Sequence, residues 1–354
     1  MTARRTAAGL LGVLTLIATT ALAGCSTPAG DTGLSSSADE SLGSITMQLP
    51  WILNSQFIGE YLAIDEGYFT DAGLEGVNLV PGPSSSVSEV LSGTVDVGMV
   101  DAMTLGATVA NENAPIKIIA SGYQKNPYSI LSLADGDPIE EPQDLIGKKI
   151  GVQDVNVILF DALLAANGID KTQVEIVPVS YDPSPLIFGE IDGYMSFLTN
   201  ESILVRAEGH DAVDMPFADN GLPFVADAII ATDEMIANEP EKLKAFLEGE
   251  IRGYAEALRN PQKGIDLMMS QSGTDLGLDP ANELLCAEAA NTQLVVTDET
   301  AENGLFTTSE TLQAETVTTL ATAGITVTAD QLFDMSLLEA VYAEHPDLID
   351  YTAS

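Results

Sequence analysis

Between residues 44 and 120 the chain alternates short strand-like runs with segments of helical period, and this alternation limits its fold most. Strand-like runs at 44–49, 77–80, 95–100 and 116–120 are separated by helical patterns at 56–66, 86–91 and 102–111. Such repetition requires an α/β sheet with helices covering both faces. A second cycle follows the loop 135–144, with strands expected at 149–152, 174–179 and 191–197. Its helices fall at 158–167, ended by Gly168, and at 200–208. From residue 233 the pattern turns helical, at 240–259, 261–270, 281–290, 309–323 and 336–343. No internal repeat of fixed period is present.

Two apolar strand-like segments, 129–134 and 224–232, lie where these cycles meet and adjoin turn residues. We read them as paired hinge crossovers, so that residues 44–128 and 233–354 form one lobe and 135–223 the other. A cleft between the lobes with a two-strand hinge beneath it follows from that arrangement. The 354 residues, 45% of them hydrophobic, suffice for two medium cores.

The first segment speaks to compartment. Arg4 and Arg5 precede an apolar stretch at 7–22, too short for a permanent span and suited to a signal peptide. Leu22-Ala23-Gly24-Cys25 is a lipobox pattern, which makes 1–24 a lipoprotein signal, Cys25 the lipidation site and 25–43 a flexible tether. The other reading is an ordinary secretory signal with an unrelated Cys. Fifty-three acids face 13 bases, and loss of 1–24 leaves 11 bases and a charge of −42. Such a surface repels nucleic acid and anionic headgroups, leaving the N-terminal lipid as the only membrane contact. Two Cys and two His exclude a disulfide scaffold and leave little for a metal site. With Cys25 acylated, Cys286 remains as a thiol expected to be buried. No nucleophile elbow, zincin helix or Walker loop occurs, so neither catalysis nor a cofactor is expected.

The run Leu49-Pro50-Trp51-Ile52-Leu53-Asn54, then Gly59-Glu60-Tyr61-Leu62-Ala63-Ile64-Asp65-Glu66-Gly67-Tyr68-Phe69 and Ala72-Gly73-Leu74, is distinctive in combination. Leu91-Ser92-Gly93-Thr94-Val95-Asp96, Leu145-Ile146-Gly147-Lys148-Lys149 and Gly189-Glu190-Ile191-Asp192-Gly193-Tyr194 extend it. Together they resemble the alkanesulfonate, nitrate and thiamine-pyrimidine type of solute-binding protein for ABC importers. The resemblance covers about residues 44–260 well and the helical tail loosely. It implies a two-lobed type II periplasmic-binding-protein fold that captures a small molecule by closure. It also implies a permease and a cytoplasmic ATPase as partners, and a monomer is expected. A tether suits a binding protein in a cell with one membrane.

Ligands of open α/β sheets sit beyond the carboxyl ends of the strands. After the first strand come Trp51, the only tryptophan, with Asn54, Gln56 and Phe57. Trp51 would stack on a planar ligand or plug the lobe core. Phe57 is balanced between ligand contact and helix packing, whereas Tyr61, Tyr68 and Phe69 are read as core. Ser84 and Ser85, followed by Ser86, would receive an oxyanion or cap a helix. Asp101 would face a donor-rich ligand or cap helix 102–111. In the second lobe Asp154 follows the first strand, where relatives often carry Gly or Ser. The resemblance assigns Glu201 as acceptor for a ring amine, with Asn200 fixing orientation; locally the pair also reads as a helix start.

These loops carry acids and amides but no base, Lys125 being the nearest exception. A sulfonate or nitrate would want cations or converging N–H donors. A neutral or cationic heterocycle is therefore expected, such as a thiamine-pyrimidine precursor, a flavin or a nucleobase. An anion binder or a ligand-presenting sensor is the alternative. Eukaryotic relatives that make the thiamine pyrimidine use a cleft histidine and a Cys-rich stretch, without counterpart here; His210 and His345 fall away from the expected cleft.

Overall fold

The computed structural model describes residues 41–352. The signal, Cys25 and most of the tether therefore lie outside the described residues. Among the described residues, ten strands form two five-stranded sheets. The first holds β1 (Ser44–Gln48), β2 (Gly76–Val80), β3 (Val97–Val100), β4 (Ile116–Tyr123) and β10 (Ala226–Thr232), in the order β2-β1-β3-β10-β4. The second holds β5 (Tyr128–Leu133), β6 (Lys149–Val152), β7 (Glu175–Pro178), β8 (Gly193–Phe197) and β9 (Ala212–Pro216), in the order β7-β6-β8-β5-β9. Within each sheet the strands joined through helices pair in parallel: β1 with β2 and β3, and β6 with β7 and β8. The strands that enter from the other half, β10 and β5, pair antiparallel on both sides.

That last feature corrects the expected hinge. Segments 129–134 and 224–232 are not crossovers but largely interior strands, β5 in the second sheet and β10 in the first. Both are almost wholly buried because each is flanked by two strands and covered on both faces, which is what made them apolar. The chain passes between sheets at 124–127 and returns at 217–225. Asn126 binds these passages together, its Nδ2 donating to the Leu222 carbonyl at 3.0 Å while its Oδ1 accepts from the Tyr128 N–H. Strand β9 was not anticipated.

Helix positions follow the sequence pattern closely, and their caps explain the boundaries. Asp101 caps Ala102–Glu112 and Asn113 ends it in a left-handed conformation, φ 51°. Asp279 accepts from two N–H groups at the start of Pro280–Ala290, with Pro at the first helical position. The C-terminal helices pack on the first sheet, and Phe333 adds a parallel bridge to Ile118 at its edge. No helix among the described residues is long and apolar enough to cross a membrane.

Candidate functional site

A cavity of about 270 Å³ opens between the two sheets, walled by loops at their facing strand ends. From the first sheet come Trp51, Asn54, Ser55 and Gln56 after β1, Ser84 and Ser85 after β2, and Asp101 after β3. Gln153, Val155 and Asn156 after β6, Tyr181 after β7, Phe197 at the end of β8, and Asn200 and Glu201 after it close the cavity from the second. Tyr123 and Tyr128, which flank the outgoing passage, complete the wall with Asp227 and Cys286.

Gln48, buried, ties the loops after β1 and β2 together by donating to the Leu49 and Val80 carbonyls, both at 3.0 Å. Gly82 is required there: a Cβ would stand 2.5 Å from the Pro50 carbonyl oxygen, while its own N–H donates to Trp51 at 2.7 Å. The turn Ser55–Phe57 then sets two neighbours on opposite sides. Gln56 reaches the cavity and donates to Asp227 Oδ2 at 2.6 Å, whereas Phe57 is fully buried in the core. Phe57 thus does not line the cavity. Asp154 likewise turns outward and is exposed, and its neighbours Gln153 and Asn156 take the wall, bonded to each other at 3.0 Å.

The serine loop is satisfied internally. Ser84 Oγ donates to Glu89 Oε1 at 3.0 Å and accepts from the Ser86 N–H at 2.9 Å, so an acid already occupies this corner. Asp101 caps its helix through Thr104 N–H at 2.8 Å and Thr104 Oγ1 at 2.7 Å, and it also lines the cavity. Burial raises its pKa. Asn200 makes no capping bond with its side chain, while Glu201 Oε2 accepts from the Phe197 N–H at 2.8 Å. Burial pushes the Glu201 carboxyl up to about 7.

Asp227 is the residue the sequence reading missed. It follows the return passage with φ 44°, a strained backbone for a strand, and burial outweighs the Gln56 bond to raise its carboxyl to about 7. One signal was available: a lone acid inside an otherwise apolar run. Tyr181 was equally accessible to the strand-end rule. Its ring meets Trp51 edge-on across the cleft, centroids 4.1 Å apart, and Tyr128 meets Phe197 at 4.9 Å. Tyr61 and Phe69 are buried in the core as expected, and Tyr68 packs against it half-buried. Cys286 is buried too, its thiol pushed up to about 12 by desolvation, but it borders the cavity. No Lys, Arg or His lines the wall, and Lys125 is exposed. Among the described residues no cluster of His, Cys, Asp and Glu is fit to hold a metal ion.

Two α/β lobes joined by two passages around such a cavity define the periplasmic-binding-protein fold. The nitrate-binding protein NrtA of Synechocystis PCC 6803 superposes with a TM-score of 0.61 at 12% identity, over 88% of this chain and 91% of that one. The chain belongs to the NMT1/THI5-like family, whose sequence profile matches residues 54–264. It is 25% identical to the formylaminopyrimidine-binding protein of Halalkalibacterium halodurans, over 81% of this chain and 85% of that protein. It is also 25% identical to the riboflavin-binding protein RibY of Chloroflexus aurantiacus, over 73% and 76% of the two chains. A 4-amino-5-hydroxymethyl-2-methylpyrimidine phosphate synthase of Schizosaccharomyces pombe is 27% identical, over 62% and 67%.

Proposed function

We propose that this chain is the extracytoplasmic solute-binding component of an ABC importer and captures a small, planar, donor-bearing heterocycle between its lobes. One observation carries the reading: aromatic rings, two buried carboxyls, Asp227 and Glu201, and the half-buried Asp101 wall a cavity that no base enters. Glu201 is held on the protein side by the Phe197 N–H, and Asp227 by the Gln56 amide and the Tyr123 hydroxyl, so the lone pairs left on their oxygens are acceptors for ring amines or N–H groups. Trp51 and Tyr181, one from each lobe, would cover the ligand as the passages at 124–127 and 217–225 bend. That two relatives are named for a pyrimidine and a flavin supports a flat ring as cargo. The lack of bases in the wall argues against a sulfonate or nitrate. Synthases also occur among the relatives, yet neither His210 nor His345 lines this cavity, which favours binding over catalysis.

Titration of the purified protein with formylaminopyrimidine, 4-amino-5-hydroxymethyl-2-methylpyrimidine and riboflavin should change Trp51 emission with one of them. Glu201→Gln should weaken that binding by about ten- to a hundredfold, the loss of a hydrogen bond to a charged group. Heat on mixing with taurine or nitrate, and none with the three rings, would reject the ligand class. Anchoring through Cys25 is part of the proposal. Cys25→Ser should move the protein from the membrane fraction to the medium, and an unchanged distribution would remove the lipid anchor.

A further inference from the structure

Helix Ile58–Asp65, which continues from the cavity loop bearing Ser55 and Gln56, crosses helix Pro240–Arg259 at close range. Small residues permit the approach: a Cβ on Gly59 would overlap the Tyr254 ring, on Gly253 the Gly59 carbonyl, and on Gly249 the Phe69 ring. Within this crossing lie two carboxyls with no exposed surface, Glu60 and Glu250. Glu60 Oε1 accepts from the Tyr254 hydroxyl at 3.3 Å. Glu60 Oε2 and both oxygens of Glu250 have no hydrogen-bond partner among the described residues.

The bases of the long helix do not reach them. Arg252 pairs with Glu248, and Lys263, on the following helix Pro261–Met268, bridges Glu66 and Glu256. The titratable groups whose charge bears on the pair are Tyr61 on one helix, Tyr254 on the other, Tyr123 at the end of β4 and Asp227 on β10. Every one is an acid. Two unpaired carboxylates cannot stay ionised in such surroundings, since each alone would cost several kcal/mol to bury.

We propose that Glu60 and Glu250 form a buried proton-binding pair, which lets the two helices stay closely packed while protonated and loosens them on ionisation. Desolvation raises Glu60 to about 8, the charge of Asp227 adding to it; desolvation and then the charge of Glu60 raise Glu250 well above the ordinary carboxylate range. A carboxyl with a raised native pKa holds more protons folded than unfolded. Stability therefore falls as pH rises from about 4.3 towards 8. Tyr254 hydrogen-bonds the Gln56 carbonyl at 3.5 Å, and Gln56 holds Asp227, so loosening would be felt at the cavity wall.

The inference stands whatever the cavity binds, and its test uses no ligand. Melting of the full chain is followed from pH 5.5 to 9 for the wild type, Glu250→Gln and Glu60→Gln. The wild type should lose about 5 °C or more over that range. Each Gln variant, a neutral stand-in for the protonated acid, should lose at most half as much and melt above the wild type at pH 9. Asp227 and Glu201, raised only to about 7, add a downward slope of their own, so Glu250→Gln, whose charged neighbour is Glu60 rather than Asp227, is the cleaner comparison. Parallel curves, or variants less stable than the wild type at pH 9, would overturn the proposal. Should the variants fail to fold, the infrared carbonyl band of the wild type decides: a protonated-carboxyl band persisting at pH 8.5, where Asp227 and Glu201 are ionised, supports the pair, and its absence refutes it.

Discussion

Asp227→Asn is expected to weaken binding of an aminopyrimidine probe by about ten- to a hundredfold and to flatten the pH dependence of that affinity. The carboxyl is nearly sealed from solvent, held by Gln56 Nε2 at 2.6 Å and by the Tyr123 hydroxyl, and raised to about 7. Only its ionised form presents a full charge to a ring amine. In the wild type that form grows as pH passes from 6 to 8, so affinity should rise across this interval. Asparagine supplies a neutral carbonyl at every pH and tolerates the left-handed backbone, which keeps the loop intact. Calorimetric titrations at several pH values, with a probe whose own charge is constant there, measure both effects. Superimposable profiles for the two proteins would deny Asp227 any contact with the ligand. A hydrogen bond to a charged group is worth about 1.5–3 kcal/mol, which sets the expected factor.

Gly253→Ala should strongly destabilise the first lobe. The added Cβ would press on the Gly59 carbonyl and on Ala63, backbone and side chain that belong to a helix held at both ends. Neither neighbour is the free end of a flexible side chain, so the helices must separate, at a cost of about 3 kcal/mol. Gly324→Ala is the control, because its Cβ would meet nothing within 4 Å and only its φ of 82° opposes the change. That position should lose about 1 kcal/mol. Equal losses at the two sites in denaturant melts would show that crowding at 253 is relieved by local shifts.

The buried acid pair and the helix crossing are one structure seen twice. Glycines bring the helices close enough to exclude water, and exclusion of water is what keeps Glu60 and Glu250 protonated. Their sequence neighbourhoods hint at none of this. Glu60 sits in a run read correctly as helical, and Glu250 in a helix with a strong apolar stripe. Nothing local distinguishes these two acids from the many that face solvent.

Local pattern carried most of the architecture. Strand and helix positions through 44–208 follow from period and capping, because those signals are written within a few residues of where they act. The same holds for the site loops: Trp51, Gln56, Asp101 and Glu201 reach the cavity because each stands just past a strand end. Where the sequence failed, the deciding partner was distant. An apolar run such as 224–232 looks the same as a hinge or as an interior strand until its neighbours β3 and β4 are known. Phe57 and Asp154 left the cavity wall because adjacent residues in a tight turn point opposite ways, and only the packed lobes choose which one faces inward. Composition set the sign of the surface, whereas burial, which belongs to the folded chain alone, made a few acids out of 53 hold their protons near neutrality.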